Sequence, residues 1–182
     1  GALLEILTEL SGRGINMTRL ESRPTRHALG ALLMEAGQFE EAEAMYRRAL
    51  AMQRRVLGGD HPYVASTTNN LAALLYDTER FDEAEPLFRD VLRLRRTIYG
   101  DDHALVANSI GWLGRVIERN GRPDEAEPLL RDALQRHREQ LGEQHFSVAR
   151  DRHVLASLLV ARAAEQLAAG EEPAGFVEAE QL

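Results

Sequence analysis

Histidines recur at a fixed step along the chain and are the first candidates for chemistry. His61, His103 and His145 lie 42 residues apart, each three residues after a glycine. Imidazole is a common zinc ligand, but a zinc site needs three or four ligands close together. Each of these histidines is a full step from the next, and the chain contains no cysteine. We therefore predict no metal and no cofactor, and expect each histidine to cap or pack under the following helix.

Paired glutamates are the second candidates. The phrase E-A-E occurs at 41–43, 83–85 and 125–127. Two carboxylates held close together can serve as general acid and base. One pair in every unit, placed where a helix is predicted to begin, is explained instead by the favourable interaction of acidic side chains with the helix dipole. The chain also lacks G-x-S-x-G, P-loop and H-E-x-x-H motifs. We predict no catalytic residue and no enzymatic activity.

Composition narrows the classes of partner. The net charge is −7, and all 22 basic residues are arginine, so a catalytic lysine is excluded. An acidic chain lacks the basic face of a general nucleic-acid binder. No apolar run approaches the roughly 20 residues of a spanning helix, and no signal-peptide pattern opens the chain. The sequence thus predicts a cytoplasmic protein that binds neither nucleic acid nor membrane.

The 42-residue step extends to many other positions and predicts pairs of helices. Within one unit, Ala84, Phe88 and Leu92 recur at helical spacing and form one apolar stripe. Pro86 and Pro128 are expected near the first turn of their helices, where a missing N–H costs little. Three glycines stand where helix C-caps are expected: Gly58, Gly100 and Gly142. Each unit is predicted to contain helix A, a turn, helix B and a glycine-containing loop.

The phrase G-x-F-x-E-A-E, with a large residue four positions after the alanine, resembles that of tetratricopeptide repeats. The 42-residue unit is similar to the kinesin light chain type. The resemblance covers residues 22–182 and implies an all-α, right-handed solenoid of antiparallel helix pairs. An array over residues 25–161 is expected, with helix pairs at about 25–57, 62–99 and 104–141 and a fourth helix A at 146–161.

The array is expected to change character towards its end. The phrase is next due just after residue 161 and returns late, at 176–180. We interpret residues 162–182 as an insertion, which lengthens helix A and then adds a loop, followed by the start of a truncated final helix B. A truncated array exposes an uncapped apolar helix face, so self-association through this repeat is a further expectation.

Residues 1–24 are similar to a different family. The chain opens with GALL at residues 1–4 and carries ESRP at residues 21–24, with RGIN between them. These two motifs resemble the regulatory ACT domain of prephenate dehydratase, in which they border a phenylalanine site. An ACT domain needs a four-stranded sheet, and this segment offers only a helix and an extended stretch; a remnant, a gene fusion and an assembly artefact are the alternatives. The residues carried over to that site are Gly1, Ala2, Leu3, Glu21, Ser22, Arg23 and Pro24. The rival function is a phenylalanine-responsive regulatory fragment of an aromatic amino-acid biosynthetic enzyme.

The tetratricopeptide resemblance implies a ligand on the concave face formed by the A helices, where asparagines read peptide backbone. The matching positions are Asn69, Ala73, Tyr76, Asp77, Asn108, Arg115, Glu118, Arg119, Arg150, His153 and Ser157. The three arginines and the histidine of this set would form a basic patch in an acidic protein, suited to a carboxylate-bearing peptide. Trp112, the sole tryptophan, is expected to pack in the core or between repeats and not to stack on a ligand. The function predicted is a non-catalytic scaffold that binds a peptide or partner protein.

Overall fold

The computed structural model describes residues 38–170, and this part of the chain consists of six α-helices without a strand. The helices are α1 Phe39–Leu57, α2 Pro62–Asp77, α3 Phe81–Tyr99, α4 Ala104–Arg119, α5 Pro123–Leu141 and α6 Phe146–Ala168. Helices α2, α4 and α6 are A helices, and α1, α3 and α5 are B helices. The predictions for residues 1–37, which include the ACT-like segment with its phenylalanine site and the first helix A, lie outside the described residues, as do those for 171–182.

Successive helices pack on one another along the whole described array. Each helix contacts the next in the sequence, and α4 also contacts α6, so that two A helices are neighbours. The result is the stacked helix-pair solenoid that the sequence predicted. In such an array each pair buries its apolar faces only against neighbouring pairs.

Small residues set the close approach of helices A and B. Ala42, Ala84 and Ala126 are fully buried, as their position in the repeated phrase predicted. One close approach joins α4 to α5. A Cβ atom on Gly114 would lie 2.9 Å from the Leu130 Cγ and Cδ2 atoms, closer than carbon atoms normally approach. This pair of helices therefore has no room for a larger residue at Gly114.

The recurrent histidines are helix caps. The Nδ1 atom of each accepts a hydrogen bond of 3.1 Å from the backbone N–H two residues later, which satisfies one free donor of the helix N-terminus. The prediction of a capping role is confirmed for His61, His103 and His145. At the preceding helix end, Gly58 and Gly100 have φ of 85° and 83°, a region that favours glycine.

The prolines differ from the sequence predictions, whereas the length of α6 agrees with them. Pro86 and Pro128 were expected near the first turn, and this was wrong, because each is the sixth residue of its helix. Helices α3 and α5 continue through these prolines at the cost of one backbone hydrogen bond each. Helix α6 runs on to Ala168, past residue 161, so the predicted lengthening of this helix by the insertion is confirmed. The added turns begin where the sequence departs from the 42-residue step.

Candidate functional site

A cluster of aromatic rings joins α2, α3 and α4. The Tyr76 ring meets Phe81 and Trp112 edge to face, at centroid distances of 5.3 and 5.5 Å. Trp112 also stacks on Phe88, with centroids 5.4 Å apart and planes inclined by 8°. These are favourable geometries for aromatic pairs. Trp112 is half-buried against the core, so its predicted packing role is confirmed.

Two arginines predicted for the ligand site lie on these rings. The Arg115 guanidinium carbon is 4.2 Å from the Trp112 centroid and 5.2 Å from that of Tyr76. The Arg119 guanidinium carbon is 4.5 Å from the Phe81 centroid. A guanidinium over a ring face gains cation–π stabilisation and keeps its N–H donors at the edge of its plane. Within residues 38–170, Arg115 makes no hydrogen bond and no ion pair, so these donors are unused.

Carboxylates flank this cluster, and within residues 38–170 one of them forms an ion pair with Arg119 and none with Arg115. Burial raises the pKa of the Asp77 carboxyl, and the positive charge of Arg115 partly opposes that shift. The Glu79 carboxylate is 3.5 Å from the Arg119 guanidinium, and both side chains are exposed. Exposed pairs of this kind contribute little. Glu118, the last acidic residue predicted for the site, is half-buried on the same helix as both arginines.

A second polar group lies on α6. The Nε and Nη2 atoms of Arg150 donate to Asp151 Oδ1 at 3.2 and 3.1 Å. The other carboxylate oxygen of Asp151 is hydrogen-bonded to Nδ1 of His137. His153 is exposed, and the Ser157 hydroxyl donates to the His153 carbonyl at 2.9 Å within its own helix. The predicted basic patch therefore falls into two parts, with Arg115 and Arg119 on aromatic rings and Arg150 on a carboxylate.

The predicted asparagines have unused hydrogen-bonding capacity. Asn69 on α2 and Asn108 on α4 are half-buried, and the Oδ1 atom of each is buried without a partner in the described part of the chain. A buried polar atom without a partner costs roughly 1–3 kcal/mol. Ala73, the small residue predicted between them, is half-buried on α2. The A helices thus carry amide groups that gain from a ligand able to hydrogen-bond.

Sequence reasoning missed buried polar pairs where one repeat packs on the next. Between α3 and α4, Arg95 donates to Ser109 Oγ at 2.8 Å and to the Leu105 carbonyl at 3.2 Å. Burial lowers the pKa of the Arg95 guanidinium. The same two positions, 42 residues later, hold His137 and Asp151, which are 1% and 4% exposed. The 42-residue step relates the positions of the two pairs, and it was the signal in the sequence from which a shared buried site could have been inferred.

Sequence reasoning also missed the partners of the E-A-E glutamates. Arg80, in the turn before α3, contacts Glu43 at 2.5 Å and Glu83 at 2.7 Å. The hydrogen bond from Arg80 lowers the pKa of the Glu43 carboxyl. Arg122 makes the equivalent ion pairs with Glu85 and Glu125 before α5. The glutamates therefore link consecutive repeats in addition to lying at helix N-termini.

The third such link comes from a different place in the chain. The next arginine of the series would stand at residue 164, which is an alanine. Arg162 on α6 takes that role, with an ion pair to Glu127 and another to Asp124 at 2.9 Å. The extension of α6 thus keeps the link although the 42-residue step has been lost.

Other kinds of site find no support in the described residues. Residues 38–170 contain no group of three or more histidine, cysteine or acidic side chains placed to hold a metal ion. None of the helices in this range has the length and apolarity needed to cross a bilayer.

The fold and its polar face define an all-α repeat solenoid of the protein-interaction kind. A family model described as Tetratricopeptide repeat matches residues 22–97, 63–111 and 104–169, most of the chain. The chain belongs to the tetratricopeptide repeat family, as the repeated phrase indicated. Members of this family commonly bind peptides or proteins, and the family is one of non-enzymatic scaffolds.

Solved structures share the fold. One is a crystal structure of nearly identical TPR-like repeats of a kinesin light chain from Podosopora anserina. It superposes with a TM-score of 0.67 at 24% identity, over 84% of this chain and 77% of that one. Its Q17M form gives 0.67 at 25% identity, over 93% and 80%. BtubC (BKLC) from P. vanneervenii gives 0.64 at 21% identity, over 91% and 68%. The kinesin light chain likeness of the 42-residue unit is therefore confirmed for the fold.

Curated relatives match a much shorter stretch. Prephenate dehydratases of Mycobacterium ulcerans and Mycobacterium marinum are each 61% identical to this chain over 33 residues, 18% of its length. The chain spans about a tenth of the length of these relatives. The match is to the same enzyme family that residues 1–24 resemble.

Proposed function

We propose that this chain is a non-catalytic scaffold whose A-helix face binds an extended, carboxylate-bearing peptide of a partner protein. The observation that carries the proposal is the position of the Arg115 guanidinium. This group is held on two rings, and its donors make no hydrogen bond or ion pair within residues 38–170. A guanidinium fixed in this way is preorganised for a bidentate pair with a carboxylate.

The amide groups of the same face support an extended peptide. Asn69 and Asn108 lie on successive A helices, and each has a buried oxygen without a partner among the described residues. Peptide backbone offers both donors and acceptors at regular intervals, so an extended segment can satisfy these amides along the solenoid. Arg150, His153 and Ser157 continue the same surface on α6. The ligand is therefore expected to run along α2, α4 and α6.

The test uses peptides selected from a random display library and measured by fluorescence anisotropy. Replacing Arg115 and Arg119 by alanine is expected to weaken binding at least about tenfold, because two donors to the ligand carboxylate are lost. The matched control is Arg48→Ala with Arg55→Ala, which removes the same charge from exposed positions of α1. Equal affinities for the two double variants, both shown to be folded by circular dichroism, would rule out the Arg115 site.

The short match to prephenate dehydratases favours a second candidate, a phenylalanine-responsive regulatory fragment. The residues of this candidate site lie within 1–24, outside the part of the chain that the structure describes, so a measurement in solution is needed to test it. Calorimetry with L-phenylalanine separates the candidates, because saturable heat at micromolar ligand supports the regulatory fragment and its absence removes it. Arg23→Ala is the accompanying variant and is expected to abolish that heat.

Self-association through the C-terminal repeat stays a prediction. Val160 and Leu167 on α6 are 47% and 59% exposed. Light scattering over a concentration series tests this prediction. A molar mass that stays at that of one chain at every concentration would contradict self-association.

A further inference from the structure

Three charged or titratable groups meet where α5 packs on α6. Asp151 uses one carboxylate oxygen for the Arg150 guanidinium and the other for Nδ1 of His137. His137 and Asp151 are buried, whereas the Arg150 side chain is 23% exposed and belongs to the ligand surface proposed above. This trio of His137, Arg150 and Asp151 therefore connects the interior of the array to the proposed ligand surface.

The other helix packed against α6 makes no ion pair with the trio within residues 38–170. On α4 the backbone comes close to the trio at Gly111, where a Cβ atom would lie 3.8 Å from Asp151 Oδ1. The two arginines of α4 lie on aromatic rings, as described above. Glu118 is joined to the trio by none of the ion pairs found within residues 38–170.

Charged groups on α5 and α6 themselves have partners elsewhere. Arg136 pairs with Asp101 and Asp132, and Arg138 and Arg152 both pair with Glu143. Two further histidines belong to this part of the chain: His145 caps α6 and accepts a hydrogen bond from the Ser147 N–H, and His153 is exposed three residues after Arg150. Within the two helices themselves, His137 and His153 are therefore the two candidate sources of a proton response at Arg150, and the experiments below distinguish them.

The equivalent positions of the preceding repeats show that the fold does not require this arrangement. Arg95 and Ser109 occupy the two positions one repeat earlier, and Gln53 and Thr67 occupy them two repeats earlier. Neither of those pairs contains a group that changes charge between pH 5 and 8, whereas imidazole does. Only the third of these interfaces in the described array carries such a group.

We propose that His137 is a positioning residue that makes the ligand surface around Arg150 responsive to protons, an inference that rests on the proposed function. With a neutral imidazole, the Asp151 carboxylate balances Arg150 and the trio carries no net charge. When the imidazole takes up a proton from solvent, the trio carries one positive charge and the carboxylate is shared between two cations. Arg150 then binds an incoming carboxylate more strongly, so ligand affinity at this end of the array rises as pH falls.

The first experiment needs no ligand. The side-chain Nε–H resonance of Arg150 is followed by NMR from about pH 8 to pH 5 in ¹⁵N-labelled protein, together with the His137 ring resonances. In the wild type both are expected to shift in one common transition. His137→Gln, which installs the residue found two repeats earlier, is expected to remove the Arg150 transition. His153→Gln is expected to retain it.

The opposite pattern, with the transition lost in His153→Gln and kept in His137→Gln, overturns the proposal. If His137→Gln does not fold, Asp151→Asn provides the same readout, because it removes the charge through which the histidine acts. A pH-dependent Arg150 resonance that persists in folded Asp151→Asn also overturns the proposal.

The second experiment uses formate, the anion of a stronger acid than acetic acid, which stays ionised over this range, as the carboxylate probe. Its apparent dissociation constant at Arg150, read from the same resonance, is expected to fall about fivefold between about pH 7.5 and pH 5.5, the effect of one added charge nearby. His137→Gln is expected to show no change. If the Arg150 resonance tracks His137 but no library peptide binds, the proposed function fails and the proton response stands. If library peptides bind and the Arg150 resonance does not respond to pH, the proposed function stands and the proton response fails.

Discussion

The α3–α4 and α5–α6 interfaces occupy the same place in successive repeats and fill it with different chemistry. The first holds the buried cation Arg95 on neutral oxygens, at 2.8 Å from Ser109 and 3.2 Å from the Leu105 carbonyl. The second holds the His137–Asp151 pair, with Arg150 as a third member. The backbone of the repeat therefore fixes where a polar pair is buried and leaves its charge free to vary.

This difference has an energetic consequence. A buried ion pair loses much of its stabilisation when one partner is removed, because the other is left buried without compensation. A buried cation on neutral acceptors depends on several hydrogen bonds, and each contributes less. The two interfaces should therefore respond unequally to equivalent truncations.

The largest expected effect is at the ionic interface. Asp151→Ala is expected to lower the free energy of unfolding by about 3–5 kcal/mol, because it removes the acceptor of both His137 and Arg150. Ser109→Ala, the equivalent change one repeat earlier, is expected to cost about 1–2 kcal/mol, since the Leu105 carbonyl remains for Arg95. Urea unfolding followed by circular dichroism gives both values. Equal costs would show that the two interfaces are energetically alike.

The next effect concerns the helix pair that joins the two interfaces. Gly114→Ala is expected to cost about 1–3 kcal/mol, because the added methyl overlaps Leu130 at 2.9 Å. The equivalent positions one repeat away on either side already hold alanine, Ala72 and Ala156. Ala156→Gly, expected to cost about 1 kcal/mol through helix propensity alone, is the control. A stability for Gly114→Ala equal to that of the wild type would show that α4 and α5 can separate without loss.

A transplant of the α3–α4 pair into the α5–α6 interface is expected to lower the free energy of unfolding by less than Asp151→Ala does. His137→Arg with Asp151→Ser installs the α3–α4 pair at the α5–α6 interface. Because the two positions act together, the double variant is expected to be more stable than the sum of its single variants by about 1–3 kcal/mol. A double-mutant cycle on unfolding free energies measures this coupling, and simple additivity would contradict it.

The smallest expected effect concerns the ion pairs that link the repeats. Burial raises the pKa of the Glu85 carboxyl, but hydrogen bonds from Arg122, Asn120 and Arg89 outweigh it, and the pKa lies below its ordinary value of 4.5. A lowered pKa in the folded state adds stability above about pH 4.5, and this is lost as pH falls through the folded value. Glu85→Gln is expected to cost about 0.5–1 kcal/mol at neutral pH.

The pH profile provides the check on that variant. Unfolding curves of Glu85→Gln and the wild type are expected to converge as the pH falls below about 4.5, where the wild-type carboxyl also becomes neutral. A difference that stays constant into acid would assign the effect to lost packing instead of lost charge.

Much of the fold followed from the sequence because it repeats. Three copies of one phrase identified the helix pairs, and the recurrent histidines were recognised as caps because a metal site needs its ligands close together. Pro86 was placed too near the helix start, because a proline pattern alone does not show which turn it occupies.

The candidate site was less accessible to prediction. Periodicity selected Arg115 and Arg119 as A-helix residues, but the rings beneath them come from other helices, including Phe81 on α3. The His137–Asp151 pair was missed because each member is a single residue of ordinary type. The 42-residue step relates the two positions to Arg95 and Ser109, but the packing shows that the side chains meet. Arg162 lies two residues out of step, so no period would have assigned it to Glu127.

The packing of each helix on its neighbours in the sequence also has a consequence for synthesis. A helix pair finds most of its partners within about one repeat of chain, so contacts are local and folding of such arrays is fast. As the chain leaves the ribosome, the pair α2–α3 can form and then serve as the surface on which α4 settles. The growing array would therefore expose one unfinished helix face at a time, which limits the apolar surface available for aggregation during translation.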